Sequence, residues 1–129
     1  MGRKRLGSLE TQVMQALWRL GRGTVREVLA ALDPDRQRAY TTVLTTLRNL
    51  EGKGYLRHDV DGRRHVFVPL VAEAAVGKHA LREVLDRLFD GSRVRLVQAL
   101  LDAEDLTEDE LAALRRAVFA ERRKEEGDA

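Results

Sequence analysis

Residues 41–69 read TTVLTTLRNLEGKGYLRHDVDGRRHVFVP, and a change of period inside that stretch decides the fold. In the first half, Val43, Leu47 and Leu50 recur at helical spacing, which predicts a helix from about Thr41 to Lys53. Gly54 stands where a left-handed C-terminal cap is wanted. The second half changes to the period of a strand. Tyr55 to Val60, then Asp61-Gly62, then Arg63 to Val68 read as strand, turn and strand, and Asp-Gly is among the strongest short hairpin signals.

Upstream, Ser8 to Arg19 reads as a helix with Ser8 as its cap and Leu9, Val13, Ala16, Leu17 and Leu20 on one apolar face. Gly21 and Gly23 end it. Thr24-Val25-Arg26-Glu27 has the form of a capping box, in which the Thr24 hydroxyl accepts from the Glu27 amide and the Glu27 carboxylate reaches back. The short helix it opens turns Val25, Val28, Leu29 and Leu32 inward, and Asp33-Pro34 stops it. Three helices followed by a hairpin make a winged helix-turn-helix by pattern alone.

Downstream of Pro69 the pattern is helical throughout. A helix is expected from Ala72 to Phe89, with Val76, Ala80, Val84 and Leu88 on one side and a break at Gly91. A shorter one is expected from Val94 to Leu101. A second capping box, Thr107 to Glu110, opens a third helix from Glu108 to about Arg123, with Leu111, Ala112, Leu114 and Val118 as its apolar residues, and residues 125–129 are expected to fray. The fold class is therefore mainly α with one small β-hairpin: a winged helix-turn-helix DNA-binding domain over residues 1–70, then a helical dimerisation domain over 71–129. Three short helices cannot bury much surface alone. Either a second copy covers their stripes across a two-fold axis, which is the expectation, or the tail folds back on its own head.

The bulk numbers narrow the function classes. Hydrophobic residues make up 43% and charged residues 34% of the 129, the mix of a globular protein. No apolar run approaches the roughly 20 residues of a membrane span, so no membrane partner is expected. The basic start, Met1 to Arg5, has no apolar signal core behind it, which points to a cytoplasmic protein. There is no cysteine, which excludes disulfides, zinc ribbons and thiol nucleophiles. Charge is uneven. Residues 1–70 hold 13 Lys and Arg against 7 Asp and Glu, and residues 71–129 hold 10 against 14. A basic head on an acidic tail suits nucleic-acid contact by the head alone.

Candidate contacts follow from the helix over 41–53. Thr41, Thr42, Thr45, Arg48 and Asn49 point away from its buried stripe. Threonine is a poor helix former, so helix stability does not explain four of them in six positions. Hydroxyls that bond phosphate or base edges, and methyls that meet thymine methyls, do explain it, with Arg48 able to reach guanine or phosphate. Arg63 and Arg64 at the hairpin tip are placed to grip phosphates or the minor groove. Thr24, at the start of the second helix, completes the expected DNA-binding set, and Arg3, Lys4 and Arg5 offer a basic arm.

His58 and His65 lie on the two strands and are able to face each other, but Asp59 must point to the opposite face from His58, and His79 is isolated on a helix. No metal or cofactor is expected. The acidic residues Glu104, Asp105, Glu108, Asp109 and Glu110 sit at a helix N-terminus, where the dipole favours carboxylates. No nucleophile–base set or phosphate loop is present, so the chain is not expected to be an enzyme. The rival to a repressor is a winged-helix interaction module or antirepressor without DNA binding, which would show large apolar or aromatic residues in place of the threonine-rich face.

Several segments resemble the BlaI/MecI/CopY family of repressors. Leu9-Glu10, Val13-Met14 and Leu17-Trp18 are similar to its first helix, and Thr24 to Val28 to its second. Ala39 to Leu47, with Leu50, Lys53 and Gly54, resembles its recognition helix. Leu88 to Ser92 with Leu96-Val97 resembles its dimerisation region. The resemblance implies a homodimer whose winged heads bind a palindromic double-stranded DNA operator, with Thr42, Thr45 and Arg48 on the operator-reading face. Two departures matter. The cysteine-rich hook of the copper-sensing branch is missing. In the penicillinase branch a membrane sensor triggers cleavage of an Asn-Phe bond, and Ala99-Leu100 stands at the matching place here. This departure argues against control by that cleavage and against a role in β-lactam resistance, and an inducing protease or sensor stays a candidate partner only.

Overall fold

The computed structural model describes residues 5–32, 38–103 and 105–128. The expected stop at Asp33-Pro34, the arm residues Arg3 and Lys4, and Glu104 lie outside the described residues. The element order is α1 (Ser8–Leu20), β1 (Gly23–Thr24), α2 (Val25–Leu32), α3 (Tyr40–Gly52), β2 (Leu56–Asp61), β3 (Arg64–Pro69), α4 (Glu73–Leu88), α5 (Arg93–Ala103) and α6 (Glu108–Asp128). The chain divides into two compact units between Ala80 and Leu81.

The first unit is built on most of the stripes expected from the sequence, but in α1 Leu20 stands exposed and Met14 joins the core in addition to the expected residues. Val13, Met14, Ala16 and Leu17 of α1, Val28 of α2 and Val43, Leu47 and Leu50 of α3 are all fully buried. Leu56 and Phe67 from the hairpin close this core. The N-terminus of α1 differs from expectation. Gly7, not Ser8, is the cap, and its N–H donates to Glu10 Oε1 at 2.8 Å. Glu10 takes the reaching-back role, so the chain enters the helix one residue earlier. The Thr24 box forms as expected: Thr24 N–H donates to Glu27 Oε1 at 3.0 Å, and Glu27 N–H to Thr24 Oγ1 at 3.2 Å.

The end of α3 sets the direction of the hairpin. Tyr55 N–H donates to Leu50 O and Gly54 N–H to Glu51 O, with Gly54 at φ +87°. This paired closure of a helix end requires a left-handed residue at the Gly54 position. The turn of the hairpin sits one residue later than the Asp-Gly reading. Asp61 pairs with Arg64, so the two-residue loop is Gly62-Arg63. Of the two, Gly62 alone has positive φ, +65°, as a type II′ turn requires of its first residue. A two-residue strand that the sequence did not announce, β1, pairs antiparallel with β3, giving the sheet order β1-β3-β2. The hairpin thus leaves the body from a sheet whose central strand, β3, carries the core residue Phe67.

The start of α4 stays with this unit. Trp18 Nε1 donates to Val71 O at 2.9 Å, and Val71 and Val76 pack against the core.

In the second unit, α4 closes at Asp90 (φ +51°) and Gly91 (φ +75°), with Gly91 N–H bonded to Leu85 O. Ser92 Oγ caps α5 through Arg95 N–H. The box at Thr107 and Glu110 forms in both directions. The expected fraying after Glu125 is not found among the described residues: α6 continues to Asp128. Exposed pairs of opposite charge, Lys124 with Glu121 and Arg122 with Glu126, run along its last turns, and such pairs support an isolated helix end. Leu85 is the one buried apolar side chain among the described residues of this unit.

Candidate nucleic-acid interface

On α3, the buried residues Val43, Thr46, Leu47 and Leu50 define one side. At 3.6 residues per turn, Thr41, Thr45 and Arg48 lie directly opposite, flanked by Thr42 and Asn49 on one edge and by Tyr40 and Leu44 on the other. All five residues expected here are exposed. The fourth threonine of the run has a different task. Thr46 is buried, and its hydroxyl donates to Thr42 O at 2.8 Å.

Beside the Tyr40 edge runs a groove of about 420 Å³ between α3, the start of α2 and the hairpin tip. It brings Thr24, Arg48, Arg63 and Arg64 together and leaves Thr41, Thr42, Thr45 and Asn49 on the open face. Of the expected set, Thr24 is placed least like a contact. Its side chain is 8% exposed and its hydroxyl is occupied by the Glu27 amide. Two groove residues were missed by sequence reasoning. Arg26 and Tyr40 both line it, with the Arg26 guanidinium 5.6 Å above the Tyr40 ring centre. Tyr40 had a signal available, since it stands four residues before Leu44 and so shares its edge, next to Arg48.

The electrostatics of the groove are lopsided. Arg64 pairs with Asp61 at 3.2 Å. Arg26, Arg48 and Arg63 have no acidic partner among the described residues. Glu27 is the one acid in the lining. Hydrogen bonding with Thr24, first through its backbone N–H, holds the Glu27 carboxyl below the usual carboxylate range, and the nearby charge of Arg64 adds to this. At the far side of the unit, Lys53 Nζ lies 2.6 Å from Glu10 Oε1 and also donates to Arg5 O, tying the end of α3 to the start of α1.

The histidines lie outside this groove except for His65 at its rim. The register pairs His58 with Phe67 and His65 with Val60. The two imidazoles therefore stack diagonally, centres 4.5 Å apart, rather than meeting across the ladder. His58 Nδ1 lies 2.6 Å from Glu51 Oε2. Asp59, on the other face, takes Arg22 and Arg57. Among the described residues no three His, Cys, Asp or Glu side chains are grouped to hold a metal.

A helix with an exposed polar face, a second helix braced behind it and a basic hairpin beside it define a winged-helix DNA-binding regulator. The profile of the penicillinase repressor family matches residues 6–120. The chain belongs to that family, a family of DNA-binding transcriptional repressors and not of enzymes. The transcriptional regulator BlaI of Mycobacterium tuberculosis is 37% identical over 116 residues, 88% of this chain and 83% of its own length. The penicillinase repressor of Bacillus licheniformis is 26% identical over 109 residues, 84% and 85% of the two chains. The solution structure of the DNA-binding domain of the repressor BlaI superposes with a TM-score of 0.50 and 28% identity, over 57% of this chain and 92% of that one.

Proposed function

We propose that this chain represses transcription in the cytoplasm as a homodimer seated on a palindromic operator in double-stranded DNA. In this reading residues 1–70 read the operator and residues 71–129 pair the two copies. The observation that carries it is the exposed face of α3, where Thr41, Thr42, Thr45, Arg48 and Asn49 present short polar groups and one arginine to solvent beside a groove of arginines. Hydroxyls and a guanidinium suit base edges and phosphates, whereas the centre of a protein-docking surface would be expected to carry large apolar or aromatic residues. Arg63 and Arg64 supply the wing's grip on the backbone, and Thr24 acts behind them by holding α2 in place.

The dimer is supported by the tail. Leu88, Val94, Leu100, Val118 and Phe119 are each more than half exposed in the single chain, apolar side chains that the second copy of this reading would cover. A protease or sensor that lifts repression is the remaining partner of this reading. The Ala99–Leu100 bond lies within α5, so cleavage there requires that helix to open locally.

Operator geometry is the test. Two heads related by a two-fold axis read one face of DNA at a spacing of about 34–36 Å, one helical turn. Footprinting on an operator selected from random sequence should show an inverted repeat. Inserting about five base pairs between half-sites should drop affinity toward that of one head, and a full turn should recover part of it. A single asymmetric site, indifferent to spacing, would overturn the symmetric reading.

A further inference from the structure

The groove beside α3 has one arginine that neither the reading face nor the wing accounts for. Arg26 comes from α2, is exposed, and lies over the Tyr40 ring. Tyr40 is 43% exposed, and its hydroxyl has no hydrogen-bond partner among the described residues.

A recognition helix in the major groove and a wing at the adjacent minor groove have one sugar-phosphate strand between them, because that strand is what separates the two grooves of a duplex. In this fold the space between helix and wing is the groove lined by Arg26, Tyr40, Arg48 and Arg63. Its one acid, Glu27, is engaged with Thr24 and lies in the field of Arg64. What remains is a channel lined by Arg26, Arg48 and Arg63, which have no acidic partner among the described residues.

We propose that one strand of the DNA backbone runs through this channel, and that Arg26, braced on the Tyr40 ring, contacts a phosphate diester there with the Tyr40 hydroxyl as a second donor. This rests on the DNA-binding reading above and adds to it a contact from α2. The ring restricts the guanidinium before DNA arrives and leaves the N–H edge for phosphate oxygens, a geometry an ammonium cannot match. A phosphate contact carries no sequence information. Arg26 therefore contributes to affinity for every duplex, whereas Thr45 contributes to preference among duplexes.

The experiment uses the full chain, with two DNA probes: a duplex of mixed sequence and an operator duplex selected from a random pool. Each neutralised phosphate contributes about 0.9 to the slope of log K against log salt. Arg26→Ala should lower that slope by about 0.9 per bound head, and should weaken both duplexes by a similar factor. Arg26→Lys should restore the slope but not the full affinity. Tyr40→Phe keeps the brace and should lose less than Tyr40→Leu. Arg26→Ala combined with Tyr40→Leu should lose less than the two single losses together, because the brace has no function without the arginine. The side chains are exposed, so melting temperatures should match that of the parent protein. A parent protein that binds the operator, beside an Arg26→Ala variant with an unchanged slope, overturns this contact and leaves the repressor reading standing. A parent protein that binds neither duplex overturns both.

Discussion

In the first unit Val13, Leu17, Val28, Val43, Leu47, Leu50 and Phe67 are packed on one another, while in the second Leu88, Val94, Leu100, Val118 and Phe119 stand in the open. The same residue types, at the same helical spacing, meet different fates. In the head, three helices and a sheet supply one another's missing surface, so a single copy completes the core. In the tail, each helix has an apolar side and α5 and α6 have their N-terminal caps, yet among the described residues Leu85 alone is buried. Local signals make a helix in both units, but only a complementary surface makes a core. The tail has the first without the second, and a second copy of the chain is the proposed source of that surface.

The largest expected effect attacks the self-sufficient side. Phe67 sits on the central strand and in the core, at 1% exposure. Phe67→Ala should cost about 3–5 kcal/mol and unfold the head cooperatively, as read by chemical denaturation. A loss below about 1 kcal/mol would mean that the core is not the unit described. Next comes the tail. Leu100→Asp places a charge at two symmetry-related positions of the proposed dimer, and each lost side chain is worth about 1.5 kcal/mol or more of burial. The dimer dissociation constant should rise about 100-fold or more. Sedimentation should then show monomers at micromolar concentration, with head melting unchanged. Dimers of undiminished affinity would move the interface off α5.

A finer test uses the same motif in both units. Thr24→Ala removes the cap of a helix packed in the core and should lower head stability by about 1 kcal/mol. Thr107→Ala removes the matching cap of α6 and should leave the head transition where it is. Equal shifts in that transition would show that the two units melt as one. The smallest effect is in pH. Burial alone would raise the Glu10 carboxyl, yet hydrogen bonds from Lys53 and Gly7, with the Lys53 charge, hold it below the usual range. A depressed carboxylate stabilises the fold at neutral pH, and that contribution is lost as pH falls through the usual carboxylate range to the folded value. Glu10→Gln should therefore flatten the acid limb of head stability, by below about 1 kcal/mol at a partly exposed pair. An acid limb as steep as the parent's would assign it to other groups.

Much of the head was legible because its signals are local. The stripe of Val43, Leu47 and Leu50, the box at Thr24 and Glu27, and the strand period after Gly54 each lie within a few residues. The failures have a common cause. The pairing of Gly23 and Thr24 with Phe67 and Val66 depends on chain more than 40 residues away, and two residues carry no period to read. The turn slipped by one residue because Gly62 serves equally as the second residue of an Asp-Gly turn or the first of a Gly-Arg turn. Arg26 meets Tyr40 only once α2 is laid on α3. On the interface, the polar face of α3 was legible as the complement of its apolar stripe, whereas the burial of Thr24 and Thr46 was set by neighbours that the pattern does not name.

The bond from Trp18 to Val71 gives this protein an optical gauge. Trp18 is the single tryptophan of the chain, and its indole N–H is held by a carbonyl two residues before α4 begins. Any event that pulls the start of α4 from the head must first break that bond and wet the indole. Emission from the unlabelled protein would then shift to longer wavelength. Operator binding, and the proposed pairing of tails and release by an inducer, can each be tested for whether they disturb that one carbonyl.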